Sequence, residues 1–331
     1  MIISILYGVI IEIRNKLHDY DLLKSQSFEK PIISIGNITT GGTGKTPLTI
    51  HIAKYILNQG KKPGIISRGY GRVSNGMVIV HDGTEMLVDV NNAGDEPYLI
   101  GRKLKNVPII VSNKRQEGIK NLIENFFVDI VIMDDGFQHR SVKRNLNILT
   151  ISGTEKLNNY KLLPFGKMRE SMHNIKRADL IIYTKSNKKP LIHEKINKFG
   201  SNLFIISNYE SMIFHYDSKI FNKINFFDEP VFAFCGIADH QSFFKSITDL
   251  GIKIKEKKYF KDHQDYTDFL MNDLINKIKK LKLNKVIITE KDLVKLPQFF
   301  IETFDIYVIK ISMNIKDELI IKNKINALLN E

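Results

Sequence analysis

Residues 36–47, GNITTGGTGKTP, constrain this chain more than any other stretch. They follow the apolar run of residues 31–35 and precede a helix-like segment at 48–59. A strand, a glycine-rich loop ending in Gly-Lys-Thr and a helix together make a phosphate cradle. Loop amides and the helix N-terminus point at anionic oxygens. Lys45 is placed to reach the outer phosphates, and the Thr46 hydroxyl to hold Mg²⁺. The usual G-x-x-x-x-G-K-[ST] pattern is broken once, because its first glycine falls on Thr39, while glycines stand at Gly41, Gly42 and Gly44. A glycine turn without a ligand has no use for Lys and Thr at those offsets. Thr39, Thr40, Gly41, Gly42, Thr43, Gly44, Lys45 and Thr46 are therefore the expected nucleotide contacts.

Short apolar runs alternate with helical patterns around this loop. Strands are expected at 32–35, 64–67, 108–111, 129–133, 146–151 and 180–184, and helices at 48–59, 96–105 and 115–127. Continuous apolar strands separated by helices imply a parallel sheet covered on both faces. Ligands in such sheets bind at the carboxyl ends of the strands. A polar, aromatic stretch at 208–228 reads as a linker. Beyond it a second α/β pattern runs through strands near 231–234, 252–259 and 286–289 and helices near 240–250, 266–282 and 315–329. The expected fold class is α/β: a P-loop NTPase-type, mostly parallel sheet at 25–207 with helices on both faces, plus a smaller C-terminal α/β domain at 229–331. A cleft between two such domains suits an enzyme that closes around its substrate.

The 331 residues carry 49 Lys plus Arg against 36 Asp plus Glu, a net charge of +13. That charge favours anionic partners, although the abundance of Lys, Asn and Ile throughout has the look of coding bias. The single cysteine, Cys235, excludes an intrachain disulfide and an all-cysteine metal site. No nucleic-acid motif or basic–aromatic stripe is present, so nucleic acid is not an expected partner. Residues 1–13 are almost continuously apolar and are followed by Arg14, Lys16 and Lys24. The segment is shorter than the roughly 20 residues a membrane-spanning helix needs, and it lacks the basic start and cleavage site of a signal peptide. Two readings remain for residues 1–24: a helix buried against the protein, or one lying in a membrane interface.

Residues 128–140, VDIVIMDDGFQHR, form an apolar strand ending in paired acids. Asp134 and Asp135 there suit a second position at Mg²⁺, or a strand-end Asx turn into Gly136. Asp95 and Glu96 precede a helix, where an acid either caps it or does chemistry. Arg68 and Tyr70 in SRGYG, and Lys167, Arg169 and Glu170 in LLPFGKMRE, sit on loops suited to clamping phosphate or substrate. His263 lies among acids in KDHQDY. TEKDLVKL, residues 289–296, follows a strand and receives no assignment. Thr184-Lys185-Ser186-Asn187 lacks the Asp a guanine-reading motif needs, which favours ATP.

Taken in order, GNITTGGTGKTP, SRGYG, GDEP, DDGFQH, LLPFGKMRE, FCGIAD, DHQDY and TEKDLVKL resemble the tetraacyldisaccharide 4′-kinase family of the lipid A pathway. The resemblance runs from about residue 30 to 296, and the apolar N-terminus is similar as well. It implies transfer of the ATP γ-phosphate to the 4′-hydroxyl of a tetraacylated glucosamine disaccharide 1-phosphate, giving lipid IVA. Asp95 is then the base and His263 its assistant, with Lys45 also catalytic and ATP and Mg²⁺ as cofactors. The partners implied are that acylated lipid and the cytoplasmic face of the inner membrane, met by a peripheral protein expected to be a monomer. The alternative is a P-loop regulatory ATPase for metal insertion or assembly.

Overall fold

A computed structural model describes residues 2–200, 203–217, 220–224, 229–262 and 264–330. The chain divides into two compact units, Met1–Tyr209 with Met313–Glu331, and Glu210–Ser312.

The first unit runs α1 (Ile2–Asp19), β1 (Ile32–Gly36), α2 (Lys45–Asn58), β2 (Pro63–Ser67), β3 (Val78–Asp82), α3 (Val90–Ala93), α4 (Asp95–Lys103), β4 (Pro108–Val111), α5 (Arg115–Phe126), β5 (Ile130–Asp134), β6 (Leu146–Ser152), β7 (Leu180–Thr184), α6 (His193–Asn197) and the start of β8 (Leu203–Asp217). Its strands lie in the order β8-β7-β6-β1-β5-β2-β4-β3. All pairings are parallel except that of edge strand β3 with β4. Every residue of β1, β2, β4, β5 and β7 is buried, as strands covered on both faces must be. Ile33, Ile35, Ile65, Ile109, Ile130 and Ile132 pack on one face with Leu48, Ile52 and Ile56 of α2. Ile32, Ile66, Ile110, Val131 and Met133 alternate with them and pack on Ile119 and Leu122 of α5. β5 and β6 flank β1 on opposite sides, so the chain reverses its direction across the sheet there. A crevice at such a switch point is where open α/β sheets take ligands.

The second unit contains the end of β8, then β9 (Ile220–Ile224), β10 (Val231–Cys235), α7 (His240–Asp249), β11 (Ile254–Tyr259), α8 (Asp268–Lys280), β12 (Lys285–Thr289), α9 (Glu290–Leu293), α10 (Gln298–Thr303) and most of β13 (Asp305–Ile315). β11, β10, β12 and β13 pair in parallel in that order. Phe232, Phe234, Val286, Ile288 and Val308 form a core with Met271, Leu274 and Ile278 of α8.

This division differs from the expected one in two ways. Residues 208–217 are not linker but the second half of β8, paired antiparallel with β9. The last helix, α11 (Glu318–Asn330), belongs to the first unit rather than the second. Ile321 and Ile325 enter the core around α2. The Tyr55 hydroxyl donates to Asn326 at 2.7 Å, and His51 meets Glu318 at 2.6 Å.

Candidate active site

β1 delivers the chain into the loop, and α2 begins at Lys45. Gly44 is the N-cap at φ +85°, and a Cβ there would fall on the Tyr209 hydroxyl and press to 3.2 Å from Thr184 Cγ2. Only glycine fits that corner. The loop is pinned from behind by hydroxyls. Asn37 Nδ2 donates to Thr43 Oγ1 at 2.9 Å, Thr43 and Thr150 hydroxyls meet at 2.8 Å, and Thr184 Oγ1 donates to the Thr43 carbonyl at 2.9 Å. The Thr43 side chain thus anchors the loop instead of turning outward. On the outer edge, Thr39 bridges to Met168 and the Thr40 amide donates to the Lys167 carbonyl at 2.7 Å. Of the expected set, Thr39, Thr40 and Thr43 are thus tied into the protein by these bonds.

The paired acids divide their work. Asp134 is buried and accepts from Thr49 Oγ1 at 3.1 Å and Ser67 Oγ at 3.2 Å. Burial, then the charges of Glu96 and Asp135, push its pKa well above the usual carboxylate range. Asp135, in the left-handed region at φ 52°, faces cations instead: Arg169 NH1 lies at 2.9 and 3.1 Å and Lys45 Nζ at 3.5 Å. Burial alone would raise its pKa, but Lys45 and Arg169 outweigh that and hold it down at about 2. The Asx-turn reading does not account for this, since the Asp134 carboxylate is held by the Thr49 and Ser67 hydroxyls and that of Asp135 by Arg169 and Lys45.

Gly94 is the N-cap of α4, at φ +86°, so Asp95 is the first helical residue and not the cap. A Cβ at Gly94 would stand 3.0 Å from the Tyr70 carbonyl, which shows how closely the GDEP and SRGYG segments pass. Asp95 is buried, and the Glu96 charge is felt at Asp134, so the start of α4 belongs to the same neighbourhood as the end of β5. Arg68 and Tyr70 are exposed.

LLPFGKMRE runs along the loop edge. The Arg169 amide donates to the Ile38 carbonyl at 2.7 Å, its carbonyl accepts from the Tyr7 hydroxyl at 2.7 Å, and its guanidinium holds Asp135. Lys167 pairs with Glu155 at 2.9 Å. Glu170, expected at the substrate, is fully buried, bound to Arg177, to Gln138 Nε2 at 2.7 Å and to Asn15 Nδ2 at 3.3 Å. That carboxylate braces the interior and ties in α1. His263 lies outside the described residues.

Two groups escaped sequence reasoning. Arg115 opens the helix expected at 115–127 without an expected role, yet only 1% of it is exposed. NH1 donates to the Ser112 carbonyl, while Nε and NH2 have no hydrogen-bond partner among the described residues. Burial lowers its pKa to about 10 against the opposing pull of Asp134 and Asp135. His139 is held neutral, lowered to about 4 by burial and by Arg115. No spacing signal marks Arg115, which tertiary placement alone brings beside the acid pair, while His139 stands inside DDGFQH and only its burial is hidden from the sequence.

α1 packs through its small and polar side. Ser4 Oγ donates to the Leu162 carbonyl at 3.1 Å, Gly8 abuts the Leu162 side chain, and Tyr7 and Asn15 make the bonds given above. Ile3, Ile5, Leu6, Val9, Ile10 and Ile13 are left exposed, Ile3 at 67%. The helix is docked, but with its apolar face outward, the reverse of an ordinary surface helix. Among the described residues no helix is long and apolar enough to cross a membrane.

A parallel sheet, a Gly-Lys-Thr loop at its switch point and an acid pair at the next strand end define a P-loop NTPase-type protein with a phosphotransfer site. The profile of the tetraacyldisaccharide-1-P 4′-kinase family matches residues 1–330, and the chain belongs to that family. A tetraacyldisaccharide 4′-kinase from Desulfotalea psychrophila is 36% identical over 308 residues, covering 91% of this chain and 88% of its own length. One from Chlorobium phaeobacteroides is 34% identical, covering 99% and 96%. The crystal structure of LpxK from Aquifex aeolicus in complex with ATP superposes with a TM-score of 0.79 at 32% identity, covering 99% and 97% of the two chains. The protein is accordingly an ATP-dependent kinase of lipid A biosynthesis, and the regulatory-ATPase alternative is not favoured.

Proposed function

We propose that the Gly41–Thr46 loop seats the ATP phosphates and that Asp95 takes the proton of the acceptor's 4′-hydroxyl. The acceptor oxygen forms a bond to the γ-phosphorus, the bond from that phosphorus to the β–γ bridging oxygen breaks, and ADP leaves with lipid IVA as the other product. A sugar hydroxyl is a weak nucleophile, and a placed carboxylate contributes roughly 10²–10⁴-fold. Lys45 and Arg169 offset charge on the transferring group, with Arg68 and Lys167 as further phosphate contacts and Tyr70 and Glu96 beside them. His263 assists Asp95, a role carried over from the family resemblance. The observation that carries this reading is the Lys45–Asp135–Arg169 cluster at the mouth of the loop.

Thr46, Asp134 and Asp135 supply hard oxygen donors of the kind Mg²⁺ prefers, and the crowding of Asp134 by Asp135 and Glu96 is a place where a divalent cation offsets repulsion. Among the described residues no cluster of three or more His, Cys, Asp or Glu could hold a metal ion. Mg²⁺ held by these oxygens would be shared with the nucleotide, whose phosphate charge it would neutralise.

The acceptor's acyl chains place it in a bilayer. The outward apolar face of α1 suits the membrane interface, with the basic residues after it toward anionic headgroups. This reading makes the protein peripheral at the cytoplasmic face of the inner membrane, working as a monomer.

The test is incubation with γ-labelled ATP and the disaccharide 1-phosphate lipid. Label in the lipid is expected, lost in Asp95→Ala with ATP binding kept. Acceptor-independent ATP hydrolysis alone, or wild-type turnover by Asp95→Ala, would overturn it.

A further inference from the structure

The TEKDLVKL segment acquires a role inside the second unit. Asp292 is fully buried within α9. Its Oδ2 accepts from Thr289 Oγ1 at 2.6 Å, and its Oδ1 accepts from the Tyr266 hydroxyl at 2.7 Å and from the Gly236 amide at 2.9 Å. A buried carboxylate is costly unless such donors satisfy it. Here they come from three separate segments: FCGIAD through Gly236, DHQDY through Tyr266, and TEKDLVKL itself.

The same segment grips DHQDY at further points. One helical turn on from Lys291, Lys295 Nζ donates to the Gln264 carbonyl at 2.8 Å and stands over the Tyr266 ring at 5.5 Å. Lys291 Nζ pairs with Asp262 Oδ1 at 3.3 Å. Tyr266 is wedged edge-on between Phe234 and Phe260, with ring centroids at 5.8 and 5.6 Å. Even Gly236 takes part, since a Cβ there would stand 2.8 Å from the Tyr266 hydroxyl and 3.2 Å from Asp292 Oδ1. The Asp262 side chain, the Gln264 carbonyl and the Tyr266 ring, on either side of position 263, are thus tied to side chains about 30 positions further along the chain.

We propose that Asp292, Tyr266 and Lys295 are positioning residues for the phosphotransfer, holding Gln264 and Tyr266, which closely follow His263 in the chain. The proposal rests on the His263 role given above. They act by tying the residues that follow position 263 to the TEKDLVKL segment, and a displacement of about 1 Å at a reacting group costs up to about 10²-fold in rate.

The test uses the full chain with ATP and the disaccharide 1-phosphate lipid, comparing Tyr266→Phe, Lys295→Met, Lys295→Arg, Asp292→Asn and His263→Ala, with urea unfolding on each. Tyr266→Phe and Lys295→Met are expected to lower kcat by about 10- to 100-fold while KM for ATP is unchanged. Lys295→Arg should restore most of the loss. Combined with His263→Ala, either substitution should add nothing further, because residues acting through one group are not additive. Full additivity, or unchanged kcat in both single variants while His263→Ala is inactive, overturns the clamp. Wild-type turnover by His263→Ala overturns the His263 reading itself, and that result is read without the other variants. Should Asp292→Asn fail to fold, the Tyr266 and Lys295 variants, which remove only one hydroxyl or one half-buried amine, still decide the matter.

Discussion

Arg169 and Asp135 form a two-bonded ion pair, with NH1 at 2.9 and 3.1 Å from the two carboxylate oxygens, and Lys45 of the phosphate loop approaches the same carboxylate at 3.5 Å. One acid therefore sets the position of two cations. Asp135→Asn should leave Lys45 and Arg169 repelling each other at the phosphate site. Turnover is expected to fall about 10²–10³-fold, the scale for losing one preorganised electrostatic group. Initial rates with saturating acceptor measure it, and a loss under twofold contradicts the assignment.

His139 contributes an acid-sensitive element. Its folded pKa of about 4 lies below the usual value near 6.5, because burial and the Arg115 charge, helped by Arg68 and Arg14 and opposed by Asp135, disfavour the imidazolium. Between those two values the unfolded chain binds the proton and the folded one does not, so stability falls as pH drops from about 6.5 to about 4. His139→Gln should flatten that limb by up to about one proton's worth of slope. Urea midpoints from pH 4 to 7 for both proteins give the comparison.

Glu170→Ala should unfold more than it inactivates. The change strands the Arg177 guanidinium and removes the acceptor for Gln138 and Asn15 in the interior. Breaking a buried pair from one side costs about 3–5 kcal/mol. Denaturant unfolding reads the loss directly, and a cost under about 1 kcal/mol would mean that the brace is unimportant.

Leu6→Asp and Ile10→Asp test the outward face of α1. Both side chains are more than half exposed, so folding should barely change. Withdrawing a buried Leu or Ile from an apolar phase costs about 1.5–3 kcal/mol, roughly tenfold or more in partitioning. Cosedimentation with phosphatidylglycerol vesicles should drop by that factor for each substitution. Undiminished sedimentation of the double variant would remove α1 from membrane binding.

The first unit was legible because its strands are apolar on both faces and its loop motif is short and local. Residues 32–35, 64–67, 108–111 and 180–184 read as strands and are strands. β8 and β13 were harder to read. SNYESMIFHYD and IKISMNI mix polar, charged and aromatic residues along half-exposed strands, so no continuous apolar run marks them. The local sequence around Lys45, Asp134 and Asp135 was enough to place a glycine-rich loop between β1 and α2 and an acid pair at the end of β5. It was not enough to reveal Arg115, whose burial depends on distant elements, the suppressed charge of His139 within DDGFQH, or the turning of Glu170 into the interior. Asp292 meets Tyr266 across 26 positions, and no pattern in TEKDLVKL announces that contact.

The return of α11 to the first unit carries a consequence for biogenesis. Ile321 and Ile325 complete the hydrophobic layer against which α2 rests. A nascent chain emerging from the ribosome therefore exposes that layer throughout synthesis of the intervening Glu210–Ser312 unit. The nucleotide-handling half is among the first parts made and the last to be sealed, so a fragment stopping short of the final helix would be sticky and short-lived rather than partly active.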